Sequence, residues 1–264
     1  MLRSMYSGIS GMNNFQTKLD VIGNNIANVN TFGFKKGRTT FKDMVSQQMA
    51  GATGPQAGQG GTNPIQVGLG SQIGSIDTIM TQGSLQNTNR ELDLGISGDG
   101  FFTVTDGDAS YYTRAGNFYL DEDGSIVNSE GMYLVGAGGA SPITVPATSQ
   151  SFSIGQDGTV NIINENGDLV AGGQVGLAIF DNPEGLSKIG GNLYQETANS
   201  GPAVLGAPAA GGAGSLVAGT LEMSNVDLSE EFTEMIVSQR GFQANTRIIT
   251  TSDEILQELV NLKR

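Results

Sequence analysis

Two stretches of helical periodicity, one at each end of the chain, constrain its fold more than any other feature. From Leu2 to Val29 the apolar residues Leu2, Met5, Ile9, Met12, Leu19, Ile22 and Ile26 fall at steps of three, four and seven. That spacing lines one face of a helix with a narrow stripe of coiled-coil type, interrupted by Gln16 and Gly23. At the other end Leu228, Met235, Phe242, Ile249 and Leu256 recur every seven residues, with Phe232, Ile248, Ile255, Leu259 and Leu262 in the adjacent rows. Asp227, followed three residues later by Glu230, supplies an N-cap and its reciprocal partner. At about 1.5 Å per residue the two rods are roughly 40 and 54 Å long, beyond the usual span of a globular helix.

The chain between them changes character. Phe41, Met44 and Val45 form a short amphipathic patch, and Gly51 to Pro64 is a run of Gly, Ala, Gln, Thr and Pro that reads as an exposed loop or extended arm. Strand-like runs then alternate with turn signals. Phe101 to Thr105 precedes Asp106-Gly107, Tyr111 to Leu120 precedes Asp121-Glu122-Asp123-Gly124, and Ser125 to Asn128 and Met132 to Val135 follow. The texture continues through Phe152 to Ile154, Val160 to Asn164 and Val175 to Phe180, and Ser200 to Gly214 is a second Gly- and Ala-rich loop. This is hairpin punctuation. Forty glycines, roughly twice the usual share of about 7%, suit such a turn-rich region. The expected fold class is α+β: long N- and C-terminal helices paired as a coiled coil, a central all-β domain and an extended connecting arm. The expected boundaries are 1–30 with 225–264 for the helical domain, 31–71 for the connecting segment with its Gly-rich arm, and 72–224 for the β-rich domain.

Composition narrows the function. With no His and no Cys the chain lacks the commonest general base, the commonest metal ligand and any thiolate. A formal charge of −13 repels nucleic acid and anionic membrane. No segment reaches the roughly 20 apolar residues of a membrane span, and the broken stripe from Met1 to Met12 is not a secretory signal, so export would follow an uncleaved route. The acidic turns Asp106-Gly107-Asp108 and Asp121-Glu122-Asp123-Gly124 lack the ligand alternation of a calcium loop. Gly68-Leu69-Gly70 and Gly95, Gly98, Gly100 lack the strand and helix that frame a phosphate loop. A secreted carboxylate-based hydrolase is the remote alternative, but no candidate pair stands out. The expectation is a non-enzyme with no catalytic residue, no metal and no cofactor.

Two long helices at opposite ends can pair with each other and still present apolar edges to further copies, so the stripe residues on both helices are candidate self-association residues. A monomer with both helices packed on the β domain satisfies the same spacing. Periodicity does not decide between them.

The segment Asp20-Val21-Ile22-Gly23-Asn24-Asn25-Ile26-Ala27-Asn28-Val29-Asn30-Thr31-Phe32-Gly33-Phe34-Lys35 resembles the N-terminal signature of the bacterial flagellar rod and hook axial proteins. The C-terminal signature has its counterpart in Glu222-Met223-Ser224-Asn225-Val226-Asp227-Leu228, Met235-Ile236-Val237-Ser238-Gln239-Arg240 and Leu259-Val260-Asn261-Leu262. Asp99-Gly100-Phe101-Phe102 and Tyr112-Thr113-Arg114-Ala115-Gly116-Asn117-Phe118 extend the likeness through the centre. The resemblance implies a helical homopolymer, with the terminal helices as an inner layer and the β domains outside. It also implies an extracellular place in the hook-basal body, reached by type III export without signal cleavage. Phe41 and Val45 resemble the Phe-x-x-x-apolar motif read by the export gate. Within the family Ile22-Gly23-Asn24-Asn25-Ile26 and Asn225-Val226-Asp227-Leu228 look like a hook subunit, a short one of the Gram-positive type. Its implied partners are further copies, the distal rod below, the hook-filament junction protein above, and the hook cap and export apparatus during assembly, with no nucleic acid and no direct membrane insertion. The long Gly- and Gln-rich arm after Met49 instead resembles an insertion of distal rod proteins, the alternative reading.

Overall fold

The computed structural model describes residues 2–55, 60–146, 148–165 and 167–262, without the side chain of Leu2. Contacts divide the chain into two compact units, one made of Met1–Ala27, Gly37–Asp77 and Asp227–Arg264, the other of Asn28–Lys36 and Thr78–Val226. The fold is α+β, with the helices at the two ends and strands between them.

The first unit is built on helix α1, Leu2–Ala27, and helix α2, Leu228–Leu262, which pack together. Asp227 caps α2 as its position predicts: one carboxylate oxygen accepts from the backbone N–H of Ser229 at 2.8 Å and of Glu230 at 3.4 Å. The rest of this unit is strand. Gly37–Asp43 pairs with Ser71–Thr78, and Ser46–Ala50 pairs antiparallel with Ile65–Gly68. A bridge between Thr53 and Thr62 carries this second ribbon into the arm. The patch at Phe41, Met44 and Val45 is extended, since Phe41 lies in a strand and Met44 and Val45 link it to the next. Residues 31–71 divide between the units, 31–36 in the second and 37–71 in the first.

The second unit centres on a nine-stranded sheet. Its main path runs Ser187–Gly190, Leu193–Gln195, Ser110–Thr113, Phe101–Thr105, Tyr133–Leu134, Ile126–Val127, Tyr119–Leu120, with Leu177–Ile179 joining Phe101–Thr105. The hairpin expected at Asp106-Gly107 pairs Thr105 with Ser110, and Gly107 takes a φ of 93° that a Cβ would strain. A three-stranded sheet of Ser151–Ile154, Thr159–Ile163 and Leu169–Gln174 stands beside it. Leu94, Phe102, Phe118, Val160, Leu177 and Leu216 are among the side chains sealed in the core, and Phe102 meets Phe118 edge to face.

Two sequence expectations need correcting. Tyr111 to Leu120 is not one strand: Ser110–Thr113 and Tyr119–Leu120 are separated because Gly116 is pressed against Leu94, whose N–H it accepts at 3.0 Å. The Ser200 to Gly214 loop contains a strand, Val204–Gly206, which pairs with Leu177–Ile179. Its Val-Leu-Gly run was too short and too flanked by glycine to register as periodicity.

Candidate assembly surface and the buried charge cluster

The stripe residues are the candidate self-association residues and the first to locate. The side chain of Leu2 lies outside the described residues. On α1 Ile22 is buried, Met5, Met12, Leu19 and Ile26 are half-buried, and Ile9 is exposed. On α2 Met235, Phe242, Ile249 and Leu256 are half-buried and Leu228 is exposed. The line sealed between or beneath the helices is smaller and more polar: Gly8, Gly11, Asn14 and Asn25 on α1, Glu231, Ser238 and Ser252 on α2.

Small residues set the approach of the two helices. A methyl group added at Gly241 would lie 2.6 Å from the Phe15 ring, and one at Gly11 would meet the Asn245 amide at 2.9 Å. Polar groups fix the register. Lys18 pairs with Glu234 across the seam, and the Asn25 amide donates to Glu231 at 3.2 Å. Asn25 also holds Gly37 from both sides, accepting its N–H at 2.9 Å and donating to its carbonyl at 2.9 Å. Because the seam takes up small and polar groups, apolar ones remain outside. Phe232, Ile236, Val237, Ile248, Ile255, Leu259, Val260 and Leu262 of α2 are all exposed, and Ile248, Ile255 and Leu262 repeat every seven residues along one flank. A single-sign apolar flank on a 35-residue helix is far more than scattered surface hydrophobics.

The arm and the two residues of the expected export motif are also open. Every residue of Ser46–Ala50 is exposed, as is Ile65 in the opposing strand. Phe41 packs its ring edgewise on Phe15, 6.0 Å between centroids, while Val45 is 79% exposed.

The second unit holds a site that periodicity could not reveal. Lys35, Arg114 and Glu222 are each at least 97% buried and meet as an ion cluster. One Glu222 carboxylate oxygen accepts from Lys35 Nζ and from the N–H of Gly83 at 2.9 Å, and the other accepts from Arg114 at 3.2 Å. Lys35 also donates to the Thr81 carbonyl at 2.8 Å and Arg114 to the Gly98 carbonyl at 2.9 Å. The Arg114 guanidinium sits 5.3 Å from the centre of the Phe101 ring. Burial pushes the Lys35 ammonium below its ordinary value, and Glu222 opposes that shift. Around the cluster the two signature segments interlock. Gly33, at a φ of 69° and too close to the Ala115 backbone for any side chain, donates to the Glu222 carbonyl at 2.8 Å. Asn225 accepts from Lys36 N–H at 2.8 Å and donates to the Ile79 carbonyl at 2.9 Å. None of these residues lies on an apolar stripe. The signal that could have found Arg114 and Glu222 is a charged residue set among uncharged neighbours in each quoted segment; Lys35, beside Lys36, carries no such mark.

A helical pair with an apolar flank and a β unit closed by its own two signature segments are the build of a structural protein rather than of an enzyme with a catalytic cleft. Comparison with known proteins gives the family. A model described as "Flagella basal body rod protein" matches residues 5–35, one described as "Flagellar hook protein FlgE/F/G D1 domain" matches 95–162, and "Flagellar basal body rod FlgEFG protein C-terminal" matches 217–262. The chain is 61% identical to the flagellar basal-body rod protein FlgG of Bacillus subtilis (strain 168) over the whole of both chains. It is 40% identical to the FlgG of Borreliella burgdorferi and 32% identical to the flagellar hook protein FlgE of that organism, again over the whole of each chain. The protein therefore belongs to the flagellar rod and hook family, a family of structural proteins and not of enzymes. It is a component of the flagellar hook-basal body, and among the described residues no helix is long and apolar enough to cross a membrane.

Proposed function

We propose that this chain is a subunit of the distal rod, the straight shaft, and not of the hook that its terminal motifs had favoured. The observation that carries this is the 61% identity with a rod protein in an alignment of 265 positions, within one of the chain's own 264 residues. Alignments with hook proteins run to 441 and 463 positions, so those relatives carry long segments that this chain lacks.

The exposed ribbon supports the same reading. An isolated two-stranded hairpin is marginal in water, and Met49, Ile65 and Val45 offer apolar side chains without a cover in their own subunit. Seated on a neighbouring copy, the ribbon adds a contact that cannot slide, which suits a shaft that must stay straight. In this proposal the helices of 1–30 and 225–264 form the inner layer, the apolar flank of α2 meets adjacent copies, the segment 31–71 carries the arm, and 72–224 forms the outer layer. The chain is exported without a cleaved signal, with Phe41 and Val45 read as an exposed pair before assembly. Its axial neighbours are other rod subunits on one side and the hook on the other, so a junction protein and a hook cap are not its direct partners.

The test is electron microscopy of purified flagellar basal structures decorated with an antibody raised against residues 100–200. Label confined to the straight shaft is the expected result. Label along the curved segment outside the envelope would return the chain to the hook.

A further inference from the structure

We infer that the Lys35, Arg114 and Glu222 cluster is a folding latch: the second unit closes as one body only when Glu222 arrives, late in the chain. The residues it joins are far apart in sequence. Lys35 and Glu222 are separated by 187 positions, and Arg114 by 108 from Glu222. Without Glu222, the two enclosed cations would keep, among the described residues, only the carbonyls of Thr81 and Gly98 as hydrogen-bond acceptors, with the Phe101 ring beside Arg114 and the weaker attraction of Asp99 for Lys35. Carbonyl dipoles do not offset the desolvation of two full charges, and leaving buried charges unpaired is among the most destabilising changes a core can suffer. The carboxylate uses both oxygens and takes a backbone N–H as well, three hydrogen bonds in all.

The strands that deliver Glu222 close the unit at the same step. Thr220–Glu222 pairs with Leu85–Asn87, and Ser215–Ala218 pairs with Leu94–Ser97. Leu216 and Leu221 then enter the core, Gly33 reaches the Glu222 carbonyl, Met223 donates to Ser84 at 2.9 Å, and Asn225 ties Lys36 to Ile79. A chain emerging N-terminus first thus holds most strands of this unit, and both cations, before it holds their counter-charge. Glu222 comes 42 residues before the end of the 264. Until then the unit stays open, which keeps its β strands from locking while the chain is still being threaded. The latch is independent of whether the assembled polymer is rod or hook.

Hydrogen exchange followed by mass spectrometry on the full-length chain tests this. Glu222→Gln keeps the shape and an acceptor but removes the charge. It is expected to lower protection together across strands remote from the cluster, such as Ser151–Ile154 and Leu193–Gln195, by about 100-fold or more. A combined Lys35→Met, Arg114→Met and Glu222→Leu variant, with no charge left to strand, is expected to recover most of that protection. Loosening confined to the neighbours of residues 83 and 222 in Glu222→Gln would overturn the latch. So would a triple variant as unprotected as Glu222→Gln, because the loss would then not come from unpaired charge.

Discussion

Tyr112 and Tyr194 lie beside the cluster's aromatic wall and are the residues whose ionisation reports on it. Both phenols are buried, and burial pushes both above their ordinary value of 10.0. For Tyr194 the nearby Arg114 opposes the shift and Glu222 adds to it. The folded chain therefore keeps protons at these two sites at a pH where the unfolded chain has released them. Protons bound only by the folded state mean that stability falls as pH rises past 10.0, and that nothing is lost from this source below it. With six tyrosines and no tryptophan, phenolate absorbance is a clean probe. The expected titration of the native chain is incomplete, with the missing absorbance appearing together with loss of far-ultraviolet structure. Complete ionisation with the fold intact would place both phenols in solvent.

At the scale of the elements, the helical pair makes two glycines opposite in effect. Gly23 in α1 has nothing within 4 Å of an added Cβ, whereas Gly241 in α2 faces the Phe15 ring at 2.6 Å. Gly23→Ala is expected to stabilise the isolated subunit by about 0.5–1 kcal/mol through helix propensity alone. Gly241→Ala gains the same propensity but forces the helices apart, and a net destabilisation of about 1–2 kcal/mol is expected. Urea midpoints of the two variants, read from the helical signal, check the sign of each. The α2 flank calls for a different measurement. Because Ile255 and Leu262 are exposed in the subunit, Ile255→Asp with Leu262→Asp should leave its stability within about 0.5 kcal/mol while abolishing polymer in sedimentation. Polymers of normal length would remove this flank from the assembly surface.

For the whole molecule, the proposed rod assignment gives the arm a role that can be tested. A shaft is straight when contacts between neighbours are fixed, and curves when they can shift in register. Replacing residues 46–68 with a short Gly-Ser link removes the exposed ribbon and its apolar side chains but none of the helices. Basal structures assembled from such a chain are expected to bend in electron micrographs, with subunit incorporation intact. Straight shafts of normal length would leave the ribbon without a stiffening role.

Much of this protein was legible before its structure. Heptad spacing from Leu228 to Leu256 fixed α2, since a stripe repeated over four steps of seven is cheap to satisfy only as a helix. Asp227 fixed its start, and turn residues such as Asp106-Gly107 placed hairpins by local backbone preference. These are short-range effects that the sequence carries in its own periodicity. What the tertiary structure alone decided was which neighbours meet across long separations. It assigned the helix seam to Gly11, Ser238 and Gly241 while leaving Ile255 and Leu262 exposed, it split the run from Tyr111 to Leu120 at Gly116, and it joined Lys35 to Glu222. Periodicity says which face of an element is apolar, but not how closely two backbones approach or which buried charge finds which. Those outcomes depend on packing and desolvation summed over residues nearly 200 positions apart.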